Sequence, residues 1–114
     1  MNIKLVAVTA CVSGVAHTYM AAERLEKLCQ QEKWAIQIET QGALGIENPL
    51  EDADIAAADA VLVIADIDIA GAERFGQSRR ITMGITAFLL APQKIKDALR
   101  HLLILPQGTQ LNVV

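Results

Sequence analysis

The apolar run Ile3–Val8 passes within a few residues into a long amphipathic segment, 16–31, and the joining stretch reads Ala10-Cys11-Val12-Ser13-Gly14-Val15-Ala16-His17-Thr18. Ile, Leu and Val follow one another there without strict alternation, as in a strand covered on both faces, and the early position marks it as a central parallel strand. Strand, short loop and helix in that order commit the chain to an open α/β sheet with right-handed crossovers. In such sheets ligands bind at the carboxyl ends of the strands, beside the point where the strand order reverses. Cys11 falls at that end of the first strand. There it meets unpaired backbone N–H groups and the positive end of the helix dipole, which favour a thiolate and a bound anion.

The rest of the chain keeps the same alternation. In the first helix Ala21, Leu25, Leu28 and Cys29 share one face, and Glu23 and Lys27 stand four apart on the other. Trp34–Thr40 alternates apolar and polar residues, as a strand near a sheet edge does. Residues 42–50 read as a loop, and Glu51, Asp52 and Asp54 open a short helix that stops near Ala58. Ala60–Ala65 is a third strand, ending at Asp66-Ile67-Asp68, with a short helical stretch over 71–75 and a fourth strand at Arg80–Met83. From Ile85 onward the pattern is helical, and Pro92 marks a first turn or a kink before the set Ile95, Leu99, Leu102 and Leu103. The expected fold is a single domain over 1–114: an open four-stranded parallel sheet flanked by helices, a Rossmann-like three-layer α/β sandwich, with an irregular tail after about residue 105.

A formal charge of −3 and the lack of any basic run argue against a nucleic-acid surface. No apolar stretch approaches the roughly 20 residues of a membrane helix, and no signal peptide precedes Ile3, so a cytoplasmic chain without direct membrane insertion is expected. Cys11 and Cys29 are expected as reduced thiols, one in a loop and one on an apolar helix face.

Each residue of the joining loop has a task if a phosphoryl group sits there. Cys11 is the nucleophile. Val12, Ser13, Gly14, Val15 and Ala16 offer successive N–H groups, Gly14 lets the backbone approach an anion closely, and Ser13, His17 and Thr18 add side-chain donors. Ala16, being small, holds the helix start near the sheet. The bland alternative makes Cys11 a packing residue and Gly14 and Ser13 loop punctuation, but it leaves the donors unexplained. The spacing is like that of cysteine phosphatases, where an arginine six residues after the cysteine clamps the dianion, yet His17 holds that place here. Without a bidentate guanidinium the loop has less fixed charge to support attack by water. A low-molecular-weight phosphatase-like hydrolase and a non-catalytic regulatory module are the alternatives. No cofactor and no metal is expected, Asp66 and Asp68 being read as turn residues.

Cys11–Thr18, continuing through Tyr19-Met20-Ala21-Ala22-Glu23, is similar to the pattern ACPTGIAHTxMAAE of the fructose-type enzyme IIB domains of the bacterial sugar phosphotransferase system (PTS). Glu39-Thr40-Gln41-Gly42 resembles that family's ETQG, and Arg74-Phe75 its RF pair; the likeness runs from Leu5 to about Leu103. It implies a phosphocarrier in which Cys11 takes a phosphoryl group from a phosphohistidine of enzyme IIA and passes it to a fructose-like sugar bound by the membrane component IIC. Val12 and Ser13 stand where the family has proline and threonine: Val12 restores an N–H and Ser13 keeps the hydroxyl. The lysine usual after the third strand is missing. Gln41 and Gly42 are expected either to border the phosphate loop or to make a plain turn. Arg74, Arg79 and Arg80 form a basic cluster, read as a solvated face or, on the rim of Cys11, as an attractor for an acidic partner.

Overall fold

The first strand, β1 (Lys4–Ala10), lies in the middle of the sheet and is buried from Leu5 onward. Leu5 and Ala7 point into a core shared with one layer of helices, while Val6 and Val8 point into a second, smaller core with Leu50, Ile55 and Phe75. A strand with apolar demand on both sides reads as an unbroken hydrophobic run, which explains its lack of alternation. The computed structural model describes residues 3–11, 15–42 and 45–114.

After β1 come α1 (Val15–Glu32), β2 (Ala35–Gly42), β3 (Gly45–Glu47), α2 (Asp52–Ala57), β4 (Ala60–Ala65), a 3-10 turn (Ala72–Phe75), β5 (Arg80–Met83), α3 (Ile85–Leu90), α4 (Gln93–Leu102) and β6 (Gln110–Val113). The sheet order is β3-β2-β1-β4-β5-β6, with β3 antiparallel and all other pairings parallel. Helices α1, α3 and α4 cover one face; α2 and the 3-10 turn cover the other.

Ala21, Leu25 and Cys29 of α1 are fully buried, and Lys27 and Glu23 pair at 3.2 Å on its exposed side. The helix ends at Lys33, whose φ of 60° lies in the left-handed region, and Trp34 N donates to Cys29 O at 2.8 Å. That is the six-to-one closure of a Schellman stop, with Lys33 where glycine is commoner. Pro92 caps α4 and separates it from α3, as its missing N–H requires at a helix start.

The α/β sandwich is the expected one, with its four expected strands at the centre, but the sheet has six strands and is mixed. β3 lies within the segment read as a loop. Three residues, the first a glycine at φ 92°, are too few to display an alternating pattern. β6 lies in the tail expected to be irregular. Pro106 and Gly108 do break the chain there, Thr109 N donating to Pro106 O at 3.2 Å, but this turn feeds a strand that pairs with β5 from Arg80 to Met83. Covering an edge that would otherwise expose unpaired N–H and C=O groups is a tertiary demand. Among the described residues no helix is long and apolar enough to cross a membrane.

Leu62 on β4 is fully buried, whereas Leu111 on β6 is only partly so. Leu62→Ala is expected to lower the unfolding free energy by about 3 kcal/mol and Leu111→Ala by about 1 kcal/mol, read from urea midpoints at unchanged slope. Equal costs would mean that β6 belongs to the core as fully as β4.

Candidate functional site

β2 lies on one side of β1 and β4 on the other, so the strand order reverses between β1 and β4. Their ladder ends with Ala10 opposite Ala65, and Asp66 N continues it by donating to Ala10 O at 3.3 Å. The first residues beyond the two strands, Cys11 and Asp66, therefore emerge side by side. Cys11 is 6% exposed, and its Sγ donates to Asp66 Oδ2 at 3.9 Å. The other carboxylate oxygen, Oδ1, accepts from Ile85 N at 3.0 Å, at the start of α3. Gly84 makes room for it, since a Cβ there would stand 3.2 Å from Asp66 Oδ1.

Asp66 is the residue that sequence reasoning assigned to a turn. Its position next to Cys11 follows once β1 and β4 are known to be neighbours in register, because both strands then end on the same level. Strand order is not written in hydrophobic periodicity, so no local signal marked it.

Val12, Ser13 and Gly14, expected to supply N–H groups to an anion, lie outside the described residues. Val15 opens α1, which has no acidic residue in its first turn to compete for the positive end of the dipole. Ala16 and His17 are exposed, so Ala16 does not hold the helix to the sheet as expected. Thr18 does: it is 2% exposed, and its hydroxyl has no hydrogen-bond partner among the described residues. Thr9 Oγ1, near the end of β1, is in the same condition. A buried hydroxyl left unmatched costs about 1–3 kcal/mol, so it is retained where something else requires it.

The two other recognisable stretches meet in one network beside this end of the sheet. Glu39 on β2, 1% exposed, accepts from Arg74 Nη1 at 2.9 Å and Nη2 at 3.0 Å, from Gln41 Nε2 at 2.7 Å and from Leu50 N at 2.8 Å. Gln41 also grips the main chain of Ala70, accepting from its N at 2.8 Å and donating to its O at 3.0 Å. Arg74 Nε donates to Gly71 O at 2.8 Å, and the guanidinium lies 4.9 Å from the Phe75 ring centroid. Gln41 thus anchors the β4–β5 connection. Burial pushes the Glu39 carboxyl up, but the hydrogen bonds from Arg74, Gln41 and Leu50, with the Arg74 charge, outweigh it and hold it below the usual glutamate range.

The basic cluster expected from the sequence is not one surface. Arg74 is turned inward on Glu39, Arg79 Nε donates to Leu105 O at 2.8 Å, and Arg80 keeps its Nε buried. Arg80 faces Val61 at the amino rim of the sheet, the end opposite Cys11. Burial pushes the Cys29 thiol up to about 12, so it stays protonated at neutral pH.

These features define an open α/β domain with a cysteine and a carboxylate at the switch point of its sheet. The model of the PTS Lactose/Cellobiose specific IIB subunit matches residues 6–100, and the chain belongs to this family of PTS IIB components. It is 64% identical over 107 residues to the PTS system fructose-like EIIB component 3 of Escherichia coli, covering 94% of this chain and 95% of that protein. A crystal structure of a predicted fructose-specific IIB from Escherichia coli superposes with a TM-score of 0.94 at 61% identity, covering 98% of this chain and 99% of that one. A 66-residue stretch, 58% of this chain, is 52% identical to 11% of the fructose-specific EIIB'BC component of Vibrio cholerae.

Glu39→Gln leaves Arg74 facing a neutral group and is expected to cost about 3 kcal/mol at pH 7, toward the lower end for a broken buried pair because Arg74 is partly exposed. Since folding lowers the Glu39 pKa, its contribution is present above the unfolded value and fades as pH falls through the folded one. Urea titrations should therefore show the gap between wild type and Glu39→Gln closing below about pH 4. A gap constant from pH 7 down to about pH 3 would exclude this charge as the cause.

Proposed function

We propose that Cys11 is the phosphoryl acceptor of a PTS phosphocarrier. Its thiolate attacks phosphorus of a phosphohistidine on enzyme IIA; the S–P bond forms as the N–P bond breaks, and the imidazole nitrogen keeps the electron pair. A hydroxyl of a fructose-like sugar held by IIC then attacks the same phosphorus, and the thiolate leaves. The observation that carries this reading is the place of Cys11, at the switch point and four positions before an 18-residue helix whose first turn is free of acid. Val12 to His17 serve as the cradle, with Thr18 supplying a buried donor. Fixed donors around the transferred group stabilise charge as it develops, which is what transfer without a metal requires. A relative whose name joins B and C segments supports IIC as acceptor side, and work with a membrane-bound IIC would put this chain at the cytoplasmic face of the membrane.

One observation favours a second reading, a cysteine-dependent phosphate hydrolase: Asp66 supplies beside Cys11 the acid that sequence reasoning did not find. Against it stands His17 in the position of a clamping arginine.

With phosphoenolpyruvate, the general PTS proteins and a cognate IIA, the wild-type chain is expected to gain the mass of one phosphoryl group. Cys11→Ser should gain none, and Cys29→Ala should behave as wild type. Thr18→Val is expected to slow the gain about tenfold or more. An unmodified wild type beside phosphorylated IIA would overturn the carrier reading, and steady hydrolysis of an aryl phosphate by the chain alone would favour the hydrolase.

A further inference from the structure

β2 is paired on both sides over only part of its length. β1 accompanies it from Ala35 to Gln41, whereas β3 covers only Thr40 to Gly42 on the other side. Ala35 N donates toward β1, to Ile3 O at 2.9 Å, so strand alternation turns the N–H and C=O of Ile36 and Ile38 away from β1. No described residue pairs with them there. This open strip borders a groove of about 560 Å3 between α1 and the segment 48–54.

The groove has one sign of charge. Glu23, Glu26 and Asp54 line it, and among the described residues no lysine or arginine does. Glu23 shares its charge with Lys27 in an exposed pair, Glu26 is exposed, and Asp54 accepts from Glu51 N at 3.1 Å. At its upper end the Tyr19 hydroxyl donates to the Glu47 carboxylate, tying α1 to β3 on the carboxyl rim, where Cys11 also lies.

We propose that the open edge of β2 takes up an extended, lysine- or arginine-bearing segment of a partner protein as an added strand. Its main chain would pair with Ile36 and Ile38, and its side chains, alternating between the two faces, would meet Glu23 and Glu26 on one and Asp54 on the other. A second copy of this chain is the poorer occupant: pairing β2 with β2 would bring Glu23, Glu26 and Asp54 of two molecules together, a like-charge contact with no counter-ion in the groove. A strand held here carries its parent body toward the rim of Cys11, which couples docking to the site. The inference stands on the sheet edge and its charge and does not need the phosphotransfer reading.

The test uses the full chain, labelled for NMR, with a synthetic decapeptide alternating Lys and Val and a control alternating Glu and Val. The Lys–Val peptide is expected to bind and to slow amide exchange at Ile36 and Ile38 by at least about tenfold. Glu23→Gln/Glu26→Gln, both exposed positions whose effect on folding a urea midpoint checks, should weaken binding about tenfold. The Glu–Val peptide should not bind. Failure of the Lys–Val peptide to bind, binding that leaves Ile36 and Ile38 exchange unchanged, or affinity indifferent to the double variant would each overturn the proposal. So would a peptide-free dimer in sedimentation that already protects those two amides.

Discussion

A carboxylate 1% exposed must be matched on every lone pair that the interior removes from water, and Glu39 is that carboxylate. Two guanidinium nitrogens, one amide and one main-chain N–H meet it, and each partner arrives from a different part of the chain. Leu50 brings the segment after β3, Gln41 stays within β2, and Arg74 brings the connection between β4 and β5. Two stretches outside the sheet, the segment after β3 and the β4–β5 connection, are thereby held to the end of β2, at the carboxyl rim of the sheet. The pair is a poor source of net stability, since desolvation offsets most of its attraction, but it specifies where loops can lie.

That rim is also where the strand order reverses. Because β1 and β4 are parallel neighbours ending opposite one another, Cys11 and Asp66 need no long-range search to meet. Asp66 in turn is positioned by the N–H of Ile85, so the start of α3 bears on the same crevice. The chemistry proposed for Cys11 uses this arrangement: the strand ends and the start of α3 define where a transferred group would sit.

The motif Cys11–Thr18, the two-sided burial of β1 and the stripe of Ala21, Leu25 and Cys29 were legible because each is a local pattern, within one turn or one strand. Pro92 as a helix start and the carboxylates opening α2 were legible for the same reason. β3 was not, because three residues carry no period, and β6 was not, because its pairing answers a need of β5 and not of its own sequence. Arg74, Arg79 and Arg80 are neighbours in sequence but not on one surface, because the 3-10 turn and the start of β5 send them to an ion pair, a carbonyl and the opposite rim.

By itself, then, the sequence determined the alternation of strands and helices, the burial of the central strands and the cysteine at the head of the first helix, all of which follow from periodicity and composition within short windows. Only the tertiary structure decided that Asp66 stands against Cys11, that Glu39 and Arg74 join motifs 35 positions apart, and that β2 keeps an open edge beside an acidic groove. The physical reason is the same in all three cases. Strand order and register are chosen by the whole set of contacts at once, and no segment records its neighbour.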